Sequence, residues 1–158
     1  VRLHALLLAL AAPLLGCVNT DTAIFVDPTL SDPTATVTAG ALGTSLSGSF
    51  TLDLHLGARA AGPSTVTLGQ FSLLDATQTT TIVPSLTLTD DVPFPATVDQ
   101  NSDVVAHFTF NTGVDPLPAT DKTALCAAGG VVVSGTIVDS LAGRSVPVST
   151  GTFTPTCM

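Results

Sequence analysis

Between Leu46 and Leu56 the chain alternates without a break. Leu46, Gly48, Phe50, Leu52, Leu54 and Leu56 are apolar or small, and Ser47, Ser49, Thr51, Asp53 and His55 between them are polar. A period of two puts one set on a buried face and the other in water, which an extended strand does and a helix does not. Other segments follow the same rule. Asp103 to Phe110 turns Val104, Ala106, Phe108 and Phe110 inward. Thr65 to Leu74 carries Val66 and Leu68, then Phe71, Leu73 and Leu74 beyond an irregularity at Gly69. Thr79–Val83 and Ser85–Thr89 read as short strands broken at Pro84, which suits a sheet edge because proline cannot donate to a ladder. Ala23–Val26 is the first strand; alternatively the domain begins near Ala35, and the region of Pro28 and Pro33 is a longer tether.

Pro118 to Gly130 breaks the pattern. Thr120 and Asp121 are N-cap types, Lys122 to Ala128 can turn helically, and Gly129 can end the turn, which predicts one short helix near residues 120–128. Val131–Val138 and Ser145–Phe153 are then two strands around Asp139–Arg144, with Gly143 able to supply a positive φ. A fold-back symmetric about Leu141 and Ala142 sets Ile137 opposite Val146 and Gly135 opposite Val148. Carried outward, the same register brings Cys126 toward Cys157. Phe153 falls on the wrong parity, which asks for a bulge near Gly151.

Seven to nine short strands with frequent turn signals predict an all-β antiparallel sandwich. Over roughly Ala23 to Cys157 the layout resembles the small immunoglobulin-like or fibronectin-III-like domains of secreted bacterial proteins. It departs from them in having no core tryptophan, no tyrosine corner and no cysteine in Leu46–Leu56.

The N-terminus carries a second signal. Arg2 is followed by an apolar run from Ala5 to Leu15 and then by Gly16-Cys17. One basic residue before a short apolar run is the layout of a secretory signal, and the run is well short of the roughly 20 residues a membrane span requires. Leu14-Leu15-Gly16-Cys17 resembles the lipobox of bacterial lipoproteins. That resemblance implies a diacylglyceryl group on the Cys17 thiol, cleavage between Gly16 and Cys17, and an N-acyl chain on the new terminus. Leu15 departs from the commoner Ala or Ser. Val18, in place of the Asp that commonly retains lipoproteins at the inner membrane of enteric bacteria, favours the outer membrane. The expected organisation is a signal peptide over 1–16, the lipidated cysteine and a short tether over 17–22, and a sandwich over 23–158.

Loss of residues 1–16 removes Arg2 and leaves 142 residues, with three basic side chains against twelve acidic ones, all Asp, and a formal charge of −9. Such a balance opposes nucleic-acid binding, which needs cations to displace phosphate counterions. It equally opposes docking on anionic headgroups. With Cys17 acylated, Cys126 and Cys157 remain as a pair in an oxidising compartment and read as a disulfide. Closing their 31-residue separation is worth ~3.7 kcal/mol from loop-closure entropy.

Catalytic parts are scarce. His55 and His107 fall at outward positions of strands that would be antiparallel neighbours, each near a strand end and so apart from the other. Asp99, Asn101 and Asp103 match the first three oxygen-ligand positions of a calcium loop, but Val104 stands where the turn needs glycine and no glutamate exists for the bidentate ligand. Asp90-Asp91 reads as a solvated turn. No G-x-S-x-G elbow occurs, and Gly43–Gly48 leads into a strand, not a helix. The expectation is therefore a non-enzymatic envelope lipoprotein without a cofactor beyond its acyl chains. Its partners are the membrane and another envelope protein, and its sandwich serves surface structure or protein–protein contact. A calcium- or small-ligand-binding module and a small hydrolase are the alternatives.

Overall fold

The computed structural model describes residues 21–40, 43–111, 117–127 and 129–158. Among the described residues ten strands and one short helix follow in order: β1 (Asp27–Gly40), β2 (Gly43–Leu56), β3 (Ser64–Asp75), β4 (Thr81–Val83), β5 (Thr87–Asp90), β6 (Ala96–Val98), β7 (Ser102–Asn111), α1 (Ala119–Leu125), β8 (Val131–Asp139), β9 (Arg144–Ser149) and β10 (Thr156–Cys157). They form two facing sheets, β10-β1-β2-β7-β5 and β4-β3-β8-β9, with β6 paired to β3. The order β1-β2-β7-β5 against β4-β3-β8-β9 is the A-B-E-D and C′-C-F-G arrangement of an immunoglobulin-like sandwich.

Alternation fixes the core. Leu46, Phe50, Leu52, Leu54 and Leu56 of β2 and Ala106, Phe108 and Phe110 of β7 are buried. They face Val66, Phe71 and Leu73 of β3 and Val131, Val133 and Ile137 of β8. Phe50 stacks on Phe108 within its own sheet at 5.0 Å and on Phe71 across the sandwich at 5.4 Å. Offset aromatic contacts of this kind add ~0.5–1.5 kcal/mol each beyond their burial.

Several local expectations are corrected. The first strand is neither Ala23–Val26 nor a strand starting near Ala35; β1 starts at Asp27 and includes both Pro28 and Pro33. β10 pairs with β1 only at Thr36 and Val37, so both prolines lie where that edge of β1 is open, the setting in which a strand tolerates proline. The register also slips between Ser31 and Thr34, with Asp32 at φ 51°. The segments on either side of Pro84 belong to different sheets, β4 on β3 and β5 on β7, each at an edge. The helix is Ala119–Leu125: Pro118 precedes it without a side-chain cap, and it closes at Cys126, ahead of Gly129. Its anchor is Leu125, which is fully buried.

The β8–β9 hairpin has the expected register, with Ile137 opposite Val146 and Gly135 opposite Val148, and Gly143 at φ 64°. Past Ser149 one residue is gained, so Phe153 bridges Val131, and the chain then crosses to the first sheet as β10 beside β1. Cys126 and Cys157 are disulfide-bonded, with their Cα atoms 6.1 Å apart.

The ladders also define two ends. The start of β1, the end of β2 and the start of β7 meet at Asp27, His55 and Asp103. The Gly40–Gly43 turn, α1, the disulfide and the C-terminal residue Met158, which bonds Val37 and Ala39, lie at the other.

Candidate functional site

Charged groups of opposite sign converge at the Asp27–His55–Asp103 end. His55 points outward from β2, and its β7 partner in the ladder is Asp103. The ring Nδ1 lies 2.5 Å from Asp103 Oδ1, and Nε2 lies 3.2 Å from Asp21 Oδ2. Carboxylates only accept hydrogen bonds, so a ring facing one at each nitrogen is best matched as the imidazolium, donating from both. The bond to Asp103 is the main cause that raises the His55 pKa above its ordinary 6.5; partial burial opposes it and Asp21 reinforces it.

Asp21 also accepts from the backbone N–H of Ala23 at 3.1 Å and of Ala58 at 3.3 Å. The Ala23 bond is the largest cause holding Asp21 below the usual carboxylate value. The approach depends on Gly57: a Cβ there would stand 2.6 Å from Asp21 Oδ1 and collide with the Ala23 carbonyl. The segment before β1 is thus laid against the end of β2.

A second carboxylate ties down the other end of that segment. Asp139 has no exposed surface. Its Oδ2 accepts from Val26 N–H at 3.0 Å, and its Oδ1 accepts from Leu141 N–H at 2.8 Å and from the Ser64 hydroxyl. Burial alone would raise its pKa, but the Ser64 hydroxyl and the N–H groups of Val26, Ala142 and Leu141 outweigh it and leave the carboxyl below 3.8. Beside this segment runs an open cleft of about 520 Å³, lined by Ile24, Phe25, Pro28, His55, Ala142 and Arg144 among others.

The residues singled out from sequence are distributed as follows. Gly16 and Cys17 lie outside the described residues. Asp99 and Asn101 form the turn before β7, where Asn101 has φ 58° and the Ser102 hydroxyl bonds the Asp99 carbonyl at 2.7 Å. Asp103, the third calcium candidate, is engaged with His55 instead. Among the described residues no group of three His, Cys, Asp or Glu side chains is arranged to hold a metal ion. His107 pairs with Thr51, well along the ladder from His55, and its Nδ1 lies 3.1 Å from the Thr51 hydroxyl. Asp91 of the Asp90-Asp91 turn accepts the backbone N–H of His107 at 2.7 Å.

Sequence reasoning missed the two aspartate hubs. Asp21 fell in a stretch read as tether, and Asp139 in the loop of the last hairpin. The available signal for His55–Asp103 was the antiparallel neighbourhood of their strands, but the register that makes them partners was not derivable from it. Chemically, both ring nitrogens of His55 are occupied by carboxylates, so neither is presented to a nucleophile. The site grips the chain. Comparison with protein-family models, curated proteins and solved structures found no match.

Proposed function

We propose that this protein is an envelope lipoprotein whose non-catalytic sandwich is displayed from a membrane through acyl chains on Cys17, for surface structure or protein–protein contact. The observation that supports it is the double fastening of the segment that follows the cysteine, at Asp21 and at Val26. A flexible tether would have no use for two carboxylate clamps; a domain held at a fixed stance on its anchor does. The apolar run ending in Gly16-Cys17, the disulfide suited to an oxidising compartment and the acidic surface agree with export. Acyl chains at ~0.8 kcal/mol per buried CH₂ make a multiply acylated cysteine a durable anchor. Partners other than lipid would meet the free end of the sandwich, where α1 and the disulfide lie.

Metabolic labelling with a palmitate analogue tests the reading. Wild type should incorporate label and partition with membranes, and Cys17→Ser should do neither. Equal labelling of the two would remove the anchor and the function built on it.

A further inference from the structure

Resting on that reading of Cys17, we infer that the Asp27–His55–Asp103 end of the sandwich is seated on a zwitterionic phospholipid surface, with Ile24 and Phe25 inserted in its interfacial layer. Ile24 and Phe25 are 50% and 40% exposed, adjacent large apolar side chains left in water by the fold. Their backbone is not free to turn them inward. Asp21 is bonded to His55, Ala23 and Ala58 on one side of the pair, and Val26 to Asp139 on the other. The pair is therefore already ordered where it stands, and insertion would not have to supply the entropy of fixing it.

Chain length supplies the occupant. Only Val18, Asn19 and Thr20 separate Cys17 from Asp21. Fully extended, that connection reaches about 14 Å. An acylated cysteine sits at the headgroup level, and the headgroup zone of one leaflet is roughly 5–8 Å thick. The clamped segment consequently cannot leave the neighbourhood of the bilayer, whichever way the connection runs. Charge narrows the lipid: Asp21, Asp27, Asp99 and Asp103 stand at this end against His55, Arg59 and Arg144, an acidic excess that an anionic surface would repel and a neutral one accepts.

The chain has no tryptophan, so Phe25→Trp and Ile24→Trp each create a single fluorophore at the proposed contact, and Met158→Trp one at the opposite end. The lipidated full chain is incorporated into phosphatidylcholine vesicles with brominated acyl chains, and flotation of the vesicles reports anchoring independently of fluorescence. The inference expects the tryptophans of Phe25→Trp and Ile24→Trp to shift to the blue and lose emission to bromine. That of Met158→Trp should do neither, and added phosphatidylglycerol should weaken the first effect. Protein that floats with the vesicles while neither proximal variant is quenched would overturn the seating but leave the anchor standing. Quenching of Met158→Trp would overturn it too, by turning the other end to the lipid. Protein that fails to float overturns the anchor and the seating together.

Discussion

Cys126 and Cys157 are joined across the sandwich. The first closes α1, and the second stands beside Val37 on β10, at the margin of the first sheet, with their Cα atoms 6.1 Å apart. The bridge thus locks to the first sheet a helix that leads into the second. Replacing both cysteines by serine should lower stability by about 2–4 kcal/mol. Alkylation of native protein without reductant should modify neither. Full modification of both thiols would show that the bridge does not form.

Asp139 is the acceptor for the buried Val26 N–H, and it shares the Ser64 hydroxyl and the Leu141 N–H with neighbouring hydroxyl groups. Asp139→Ala should destabilise the domain by on the order of 2 kcal/mol, since the orphaned Val26 N–H carries its full desolvation cost. Asp139→Asn should be milder at the Ser64 side, yet it sets an amide N–H₂ against Val26 N–H. Because the folded pKa lies below 3.8, this contribution is present above that value and is lost as pH falls through the lowered one. Denaturant titrations at descending pH should show a steeper acid loss in wild type than in Asp139→Asn; parallel curves would refute the assignment.

His55 has the opposite sign. Its folded pKa is raised above 6.5, so the clasp's stability is complete below that value and is lost as pH climbs through the raised one. The melting-temperature gap between wild type and His55→Asn should therefore narrow from about pH 5 to about pH 8. A gap independent of pH would mean that the ring is not the charged partner of Asp21 and Asp103.

Asp53 lies two residues before His55 on the same outward face, between Thr29 and Val105 in the ladders. Its Oδ1 is buried without a hydrogen-bond partner. Asp53→Thr removes that orphaned oxygen and adds a β-branched side chain suited to the strand. It should raise stability by about 1 kcal/mol. Thermal unfolding decides, and a lower melting temperature would mean that the carboxylate is doing something useful.

What the sequence by itself determined was local and periodic. The alternation in β2 and β7 assigned their buried faces residue by residue, because a period of two leaves no other face for Phe50 or Phe108. The β8–β9 register followed from Gly143 and from matched apolar pairs, since a short hairpin permits few registers. The bulge before Phe153 was legible from its parity. The short strands β6 and β10 were not legible, because two or three residues hold too little pattern to separate a strand from a loop. Tertiary structure alone decided the rest. Whether Pro33 sits in a strand depended on the break in the β1–β2 register between Ser31 and Thr34. Whether Asp139 meets water or Val26 depended on a segment more than a hundred residues away. Whether His55 is solvated or held depended on the one-residue register that sets Asp103, and not its neighbour, on the same face of the sheet.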